Sequence, residues 1–359
     1  MNNKHRLIYL LYPVLILISA FYYFITQIRN FLFDINLIKS KKIDLPVISL
    51  GNITAGGTGK TPHTELLLRL LSKKYNIAVI SRGYRRKTKG LLIADENSSA
   101  SDIGDEPRQI KQKFRNIIIA VDKNRINAIS KIKKLFPEIN LFILDDAFQY
   151  RFIKPAISIL LIDYNFPIYK DYIIPLGKLR ESTRQIKRAD LIIFTKCPEN
   201  INNKDIDLMV KKLKILPDQK YYFSKIEYSN ILNPVFYGFN NIQVSYLKEH
   251  KIGIILLTGI ANYRQILQFI KNNFILIKHF IYPDHYYYTK KDLENIYNYI
   301  SNNEISEYII LTSEKDSVRI ALIEDLPVKM KEKIFYIEIE INILFNKTDE
   351  FKELIIKKL

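Results

Sequence analysis

The chain has 359 residues, 48% hydrophobic and 26% charged, a balance that supports packed cores and excludes wholesale disorder or a fibrous repeat. Its single cysteine, Cys197, excludes an internal disulfide framework and any multi-cysteine zinc or iron–sulfur site. The 55 Lys and Arg against 37 Asp and Glu leave a formal charge of +18, which favours polyanionic partners; a lysine-rich codon bias produces the same excess, so charge alone selects none.

Leu7 to Ile28 carries no charged side chain; Lys4 and Arg6 precede it and Arg29 follows. As a helix those 22 residues extend ~33 Å, enough to cross a hydrocarbon core. Pro13 permits a kink, and Tyr9, Tyr12, Tyr22 and Tyr23 suit the interfacial zone. Ser19-Ala20-Phe21 is a poor cleavage site, so residues 1–30 read as a retained membrane helix rather than a signal peptide. A spanning helix and one lying in the interface both fit.

Downstream, short apolar runs at 46–50, 77–81, 116–121, 141–144, 157–162 and 191–195 predict strands. Most are uninterrupted, as strands buried on both faces of a parallel sheet are. Helical patterns at 64–74 and 123–135 lie between them. The alternation predicts an α/β domain with a doubly wound, mostly parallel sheet over residues 31–220, which the glycine-rich loop Gly51-Asn52-Ile53-Thr54-Ala55-Gly56-Gly57-Thr58-Gly59-Lys60-Thr61 makes P-loop NTPase-like. A polar, aromatic connector with a small antiparallel pair is expected at 220–249. A second series follows: a strand at 253–257, a helix after Asn262, a strand at 274–280, a helix from Lys290 and a strand at 308–311. Residues 337–343 alternate with period two, which predicts a strand with one wet face near a sheet edge. With a basic terminal helix, residues 221–359 form a second, smaller α/β domain.

The first strand runs into Gly51-Asn52-Ile53-Thr54-Ala55-Gly56-Gly57-Thr58-Gly59-Lys60-Thr61, and a helix follows. Glycines free the backbone to turn its N–H groups toward phosphates, and the helix N-terminus adds a positive dipole. Thr54, Ala55, Gly56, Gly57, Thr58, Gly59, Lys60 and Thr61 are therefore the expected ATP-binding loop. Lys60 reaches the β- and γ-phosphates and Thr61 offers a hydroxyl to Mg²⁺. Thr54 departs from the usual template, which has glycine there. His63, in the first helical turn, is expected at the surface without a role. The run Leu141-Phe142-Ile143-Leu144-Asp145-Asp146 ends a parallel strand in carboxylates; Asp145 and Asp146 are the candidate Mg²⁺ ligands. A guanine site needs Asp two residues after the lysine of Thr195-Lys196, and Pro198 stands there, which argues against a GTPase. Cys197 reads as a small buried residue.

Further motifs complete a pattern: Ser81-Arg82-Gly83-Tyr84, Gly104-Asp105-Glu106-Pro107, Asp145-Asp146-Ala147-Phe148-Gln149, Pro175-Leu176-Gly177 with Leu179-Arg180-Glu181, Gly259-Ile260-Ala261-Asn262, Pro283-Asp284-His285 and Thr312-Ser313-Glu314-Lys315-Asp316. With the Gly51–Pro62 loop they fall in one order over residues 47–319, and the chain resembles the tetraacyldisaccharide 4′-kinase family. Thr54 is that family's own loop form. Ala147, Tyr150, Lys178 and Ala261 depart from its usual residues, and none of these removes an ionisable catalytic group.

The resemblance implies ATP-dependent phosphorylation of the 4′-hydroxyl of a tetraacyldisaccharide 1-phosphate to give lipid IVA, at the cytoplasmic face of the inner membrane of a Gram-negative-type bacterium. It implies a second domain closing over the nucleotide, and a catalytic pair, Asp105 with His285, alongside Lys60. It brings Arg82, Arg180 and Glu181 near the substrate. Arg82, Arg85 and Arg86 follow a strand and so lie at the sheet edge that binds ligands, where an anionic lipid phosphate or a merely solvated loop both fit. The expected partners are the glycolipid and membrane lipids, with no nucleic acid and no obligate protein partner. Two rivals stand beside this reading. A membrane-anchored P-loop switch leaves Pro283-Asp284-His285 without a role, and a nucleic-acid-dependent NTPase lacks any recognisable nucleic-acid module.

Overall fold

The structure, a computed structural model, describes residues 3–359, with side chains from Tyr12 onward. Tyr9 and the flanking charges Lys4 and Arg6 lie outside the described side chains. The chain forms two compact units: Met1–Arg82, Asp122–Ile226 and Ile341–Leu359 make the first, and Gly83–Val121 with Glu227–Glu340 the second. The expected run 31–220 is therefore not one domain. Residues 83–121, Asp105 among them, cluster with the second unit, and the basic terminal helix Thr348–Lys358 returns to the first. Spacing along the chain does not encode which hydrophobic core a segment joins.

The first unit holds a parallel sheet in the order Lys220–Pro234, Leu191–Thr195, Ile157–Asp163, Val47–Gly51, Leu141–Leu144, Ile77–Ser81. The five strands from Leu191–Thr195 to Ile77–Ser81 are buried at every position, as their unbroken apolar runs require. The chain leaves Val47–Gly51 toward one side of the sheet, for Ile77–Ser81, and later fills the other with Ile157–Asp163. The C-terminal end of Val47–Gly51 is thus a topological switch point, where open α/β sheets bind ligands. Beneath it Ile53, Phe148, Leu160, Ile192 and Phe194 share one core.

The N-terminal helix, Asn3–Asp34, is polarised in an unusual sense. Ser19, Thr26, Asn30 and Phe33 are buried. Ser19 Oγ donates to the Ile173 carbonyl at 2.8 Å, Asn30 Nδ2 to Glu181 at 3.2 Å, and Arg151 pairs with Asp34 at 2.7 Å. Val14, Leu17, Phe21, Phe24, Ile28 and Phe31, spaced three and four apart, all face outward and exposed.

In the second unit the strands Leu276–Ile281, Gly253–Thr258, Tyr308–Ser313 and Ile334–Ile343 pair in parallel in that order. Ile242–Gln243 adds antiparallel to Lys220–Pro234, and Leu92–Ile93 to Ile118–Val121. The helix Lys290–Asn302 starts at a capping box of Thr289 and Asp292. Two expectations are corrected. The 220–249 connector opens with a 15-residue strand. The alternating segment is no edge: Ile334–Ile343 runs between Tyr308–Ser313 and Lys220–Pro234. Its polar face stays partly open as expected, with Glu340 exposed, while Glu338 accepts an Asn233 amide at 3.1 Å and pairs with Lys113 at 3.7 Å.

Candidate active site

In the first unit the glycine-rich turn joins Val47–Gly51 to the helix Lys60–Leu71. A Cβ on Gly51 would stand 2.7 Å from the Phe148 amide nitrogen, so the strand end passes that backbone only as glycine. Gly59 precedes the helix at φ 85°, left-handed geometry that glycine adopts without strain. The loop is held from several sides. Asn52 Nδ2 donates to Thr58 Oγ1 at 2.8 Å, and Gln149 Nε2 to the Asn52 carbonyl at 2.6 Å. The segment 178–180 zips onto its start: the Ala55 amide donates to the Lys178 carbonyl at 2.6 Å and the Arg180 amide to the Ile53 carbonyl at 2.7 Å.

Two braces were not legible in the sequence. Lys196 donates from Nζ to the Gly57 carbonyl and pairs with Asp163 at 2.7 Å. Thr195-Lys196 therefore keeps a loop-holding role although the base-gripping aspartate is missing. His63, expected at the surface, is buried; Nδ1 reaches the Gly59 carbonyl at 2.7 Å and Nε2 the Ser224 hydroxyl at 2.9 Å. Burial pushes its ring down to about 4, so it is neutral at pH 7, with Nδ1–H donating to Gly59 and Nε2 accepting from Ser224. Cys197 is buried as expected, and burial pushes its thiol up to about 12.

The two strand-end carboxylates divide their work. Asp145 is sealed from solvent and accepts from the Thr64 hydroxyl at 3.2 Å. Asp146, at φ 45°, lies 3.7 Å from Lys60 and 3.3 Å from Arg180. Arg125, buried over the Tyr150 ring, fixes both carbonyls from below at 3.2 and 3.1 Å. Among the described residues no three His, Cys, Asp or Glu side chains are grouped to hold a metal alone. Mg²⁺ in phosphoryl-transfer sites takes one or two protein oxygens and completes its shell with phosphates and water. The Thr61 hydroxyl and the Asp146 carboxylate are hard oxygen donors of that kind; Asp145 fits less well, being engaged and buried.

Of the remaining expected residues, Arg82 is exposed beyond Ile77–Ser81. Glu181 is turned away from Lys60 and Asp146: both its oxygens are taken, one by Asn30 and the other by Arg188, whose guanidinium lies over Phe148. It fastens the N-terminal helix, a role its place in Leu179-Arg180-Glu181 did not reveal.

In the second unit Asp105 opens the helix Asp105–Lys113, and His285 sits in a turn at φ 60°. His285 Nδ1 donates to Asp105 Oδ2 at 3.0 Å. Burial pushes the Asp105 carboxyl up, but the His285 hydrogen bond and the charges of Arg319 and Lys315 outweigh it and hold it below the usual carboxylate range. It is an ionised acceptor at neutral pH. Tyr84 packs edge-on against the His285 ring, with centroids 5.6 Å apart. Asp105 and His285 belong to the same unit, so their meeting requires no closure between domains, contrary to what their separation in sequence suggests.

Relatives carry the same architecture. The chain is 40% identical over 343 residues to a tetraacyldisaccharide 4′-kinase of Phocaeicola vulgatus, covering 95% of this chain and 92% of that one. It is 38% identical over 331 residues to that of Flavobacterium johnsoniae, with 92% of each covered. It superposes on the crystal structure of LpxK from Aquifex aeolicus in complex with ATP with a TM-score of 0.73 at 26% identity, covering 98% of this chain and 99% of that one. The family model for tetraacyldisaccharide-1-P 4′-kinase matches residues 11–359. A braced phosphate loop, a hydrogen-bonded Asp–His pair and similarity along nearly the whole length lead to one conclusion: the chain belongs to the tetraacyldisaccharide-1-P 4′-kinase family.

Proposed function

We propose that the chain transfers the γ-phosphate of ATP to the 4′-hydroxyl of a tetraacyldisaccharide 1-phosphate. In the first unit, loop amides of residues 54–59 and the start of the helix Lys60–Leu71 bind the β- and γ-phosphates, with Lys60 balancing their charge. Mg²⁺, held by Thr61 and Asp146, supplies further neutralisation when bound. Arg180 keeps Asp146 oriented beside Lys60. In the second unit Asp105 accepts the proton of the attacking hydroxyl, and His285 fixes the carboxylate. The observation that carries this reading is the Asp105–His285 contact on a carboxylate kept ionised; a hydrolytic switch has no use for it. With γ-labelled ATP and the disaccharide lipid in detergent, labelled lipid forms and ATP turnover rises with acceptor. Label released only as phosphate, at a rate indifferent to acceptor, would sink the reading.

The N-terminal helix supports attachment within the interface. Its buried face carries Ser19, Thr26 and Asn30, and its outward face six large apolar residues, the reverse of a helix made for water. A helix packed on the first unit from Ser19 to Phe33 cannot also be enclosed by acyl chains there. We therefore favour the lying arrangement, at the cytoplasmic face of the inner membrane where ATP is available. Leu17→Glu with Phe24→Glu removes two apolar contacts from the lipid-facing stripe and lowers partition onto anionic vesicles by about 10²–10⁴-fold at ~1.5–3 kcal/mol per side chain. Thr26→Val, on the other face, leaves partition unchanged. Equal vesicle binding by the double variant and the parent refutes the assignment.

A further inference from the structure

Among the described residues Arg319 heads the largest fully buried side chains, at 1% exposure. A guanidinium inside a protein is tolerated where its donors are matched and its charge countered. Nε donates to the Lys315 carbonyl at 3.3 Å, Nη1 to the Tyr286 carbonyl at 3.1 Å, and Nη2 to the Gly259 carbonyl at 3.3 Å and to Asp316 Oδ1 at 2.6 Å. Asp316 in turn accepts from the Gly259 amide, the Ser313 hydroxyl and the Tyr288 hydroxyl.

The placement of these partners is informative. Gly259 O also accepts the His285 amide, at 3.0 Å, so Arg319 and His285 share one carbonyl. Tyr286 directly follows His285. The turn bearing the histidine is thus pinned on both sides by one side chain. The same guanidinium lies 3.6 Å, through Nε, from Asp105 Oδ2, the oxygen that His285 Nδ1 reaches. One rigid fork reaches the Asp105 carboxylate and the two backbone carbonyls that bracket the His285 turn. A salt-bridge partner serving Asp316 alone has no need of that reach.

We propose that Arg319 is a positioning residue for the transfer: it sets the His285 turn and the Asp105 carboxylate in register, without touching substrate. This rests on Asp105 as the proton acceptor. The charged groups around Asp105 are His285 and Asp284 from the turn, Lys315, Asp316 and Arg319 from the helix Glu314–Ile320, and Glu106 beside it, which ties up Lys315 at 3.0 Å. Arg319 is the buried one of the two cations, and its charge is the less screened.

The test uses the full chain with Arg319→Lys and Arg319→Gln, each also in an Asp105→Asn background, and Lys315→Met as a control for charge alone. In folded Arg319→Lys, kcat falls about 100-fold, as misplacement of a reacting group by an ångström does. KM for ATP stays within about twofold. In folded Arg319→Gln the acid limb of kcat also moves up by about one pH unit, because a carboxylate losing a cation protonates more readily. In the Asp105→Asn background the same change costs under about threefold, since its route runs through Asp105. Lys315→Met moves the limb less than Arg319→Gln does. Wild-type kcat in folded Arg319→Lys, an unmoved acid limb in folded Arg319→Gln, or an equal loss in both backgrounds, overturns the proposal. Should neither Arg319 variant fold, Tyr288→Phe, which frees Asp316 and with it one arm of the guanidinium, is read in both backgrounds: unmoved kcat overturns the proposal, and a loss that disappears in the Asp105→Asn background upholds it. Wild-type turnover by Asp105→Asn would fell the base reading and this inference together. Collapse of Asp105→Asn beside an unaffected Arg319→Lys fells the inference alone.

Discussion

Asp105→Asn lowers kcat by about 10²–10⁴-fold, the range a positioned general base supplies, while ATP affinity by calorimetry stays within about twofold of the parent. The amide is the same size as the carboxylate and still fills its place between His285 and Arg319. What it loses is the capacity to accept a proton. The pH dependence follows from the direction of the shift. The folded carboxyl sits below its ordinary value, so it is ionised throughout the neutral range, and the parent loses no activity through Asp105 between pH 8 and about pH 5. The linkage to stability has the same sign. A depressed carboxyl pKa stabilises the fold above the unfolded value, and that contribution fades as pH falls through the folded one. Asp105→Asn with undiminished turnover would remove the base assignment.

Lys60→Met acts on a different part of the reaction. It deletes the cation at the head of the phosphate loop and costs about 10²–10³-fold in kcat, as loss of one preorganised charge-stabilising donor does. Here KM for ATP rises as well, because the same ammonium binds the phosphates before transfer. Asp146, 3.7 Å from Lys60, keeps Arg180 as a partner, so the strand end retains its shape. The two variants therefore separate in one steady-state experiment: kcat alone for Asp105, kcat and KM together for Lys60. Matching profiles would mean the roles are wrongly divided.

The sequence disclosed the first unit's sheet because its strands are unbroken apolar runs bounded by glycine and acidic turns; 77–81, 141–144 and 191–195 coincide with the observed strands. It did not disclose Lys220–Pro234, whose lysine, tyrosine and asparagine content looks like a connector until neighbouring strands supply its hydrogen bonds. Within the site, the loop was legible because glycine, lysine and threonine must stand in a fixed order to bind phosphate. His63, Lys196 and Arg319 were not, because their work is done on backbone carbonyls of remote segments, which leave no pattern in spacing. Glu181 shows what a motif conceals: its neighbours in Leu179-Arg180-Glu181 do not tell that its carboxylate is engaged by Asn30 and Arg188.

The path of the chain between the two units has a consequence for biogenesis. The polypeptide passes from one to the other four times, and the last 19 residues, 341–359, return to the unit that began the chain. No single cut yields either half as a continuous fragment. During synthesis the first unit therefore stays incomplete until residues 341–359 have emerged, after the whole second unit has been made.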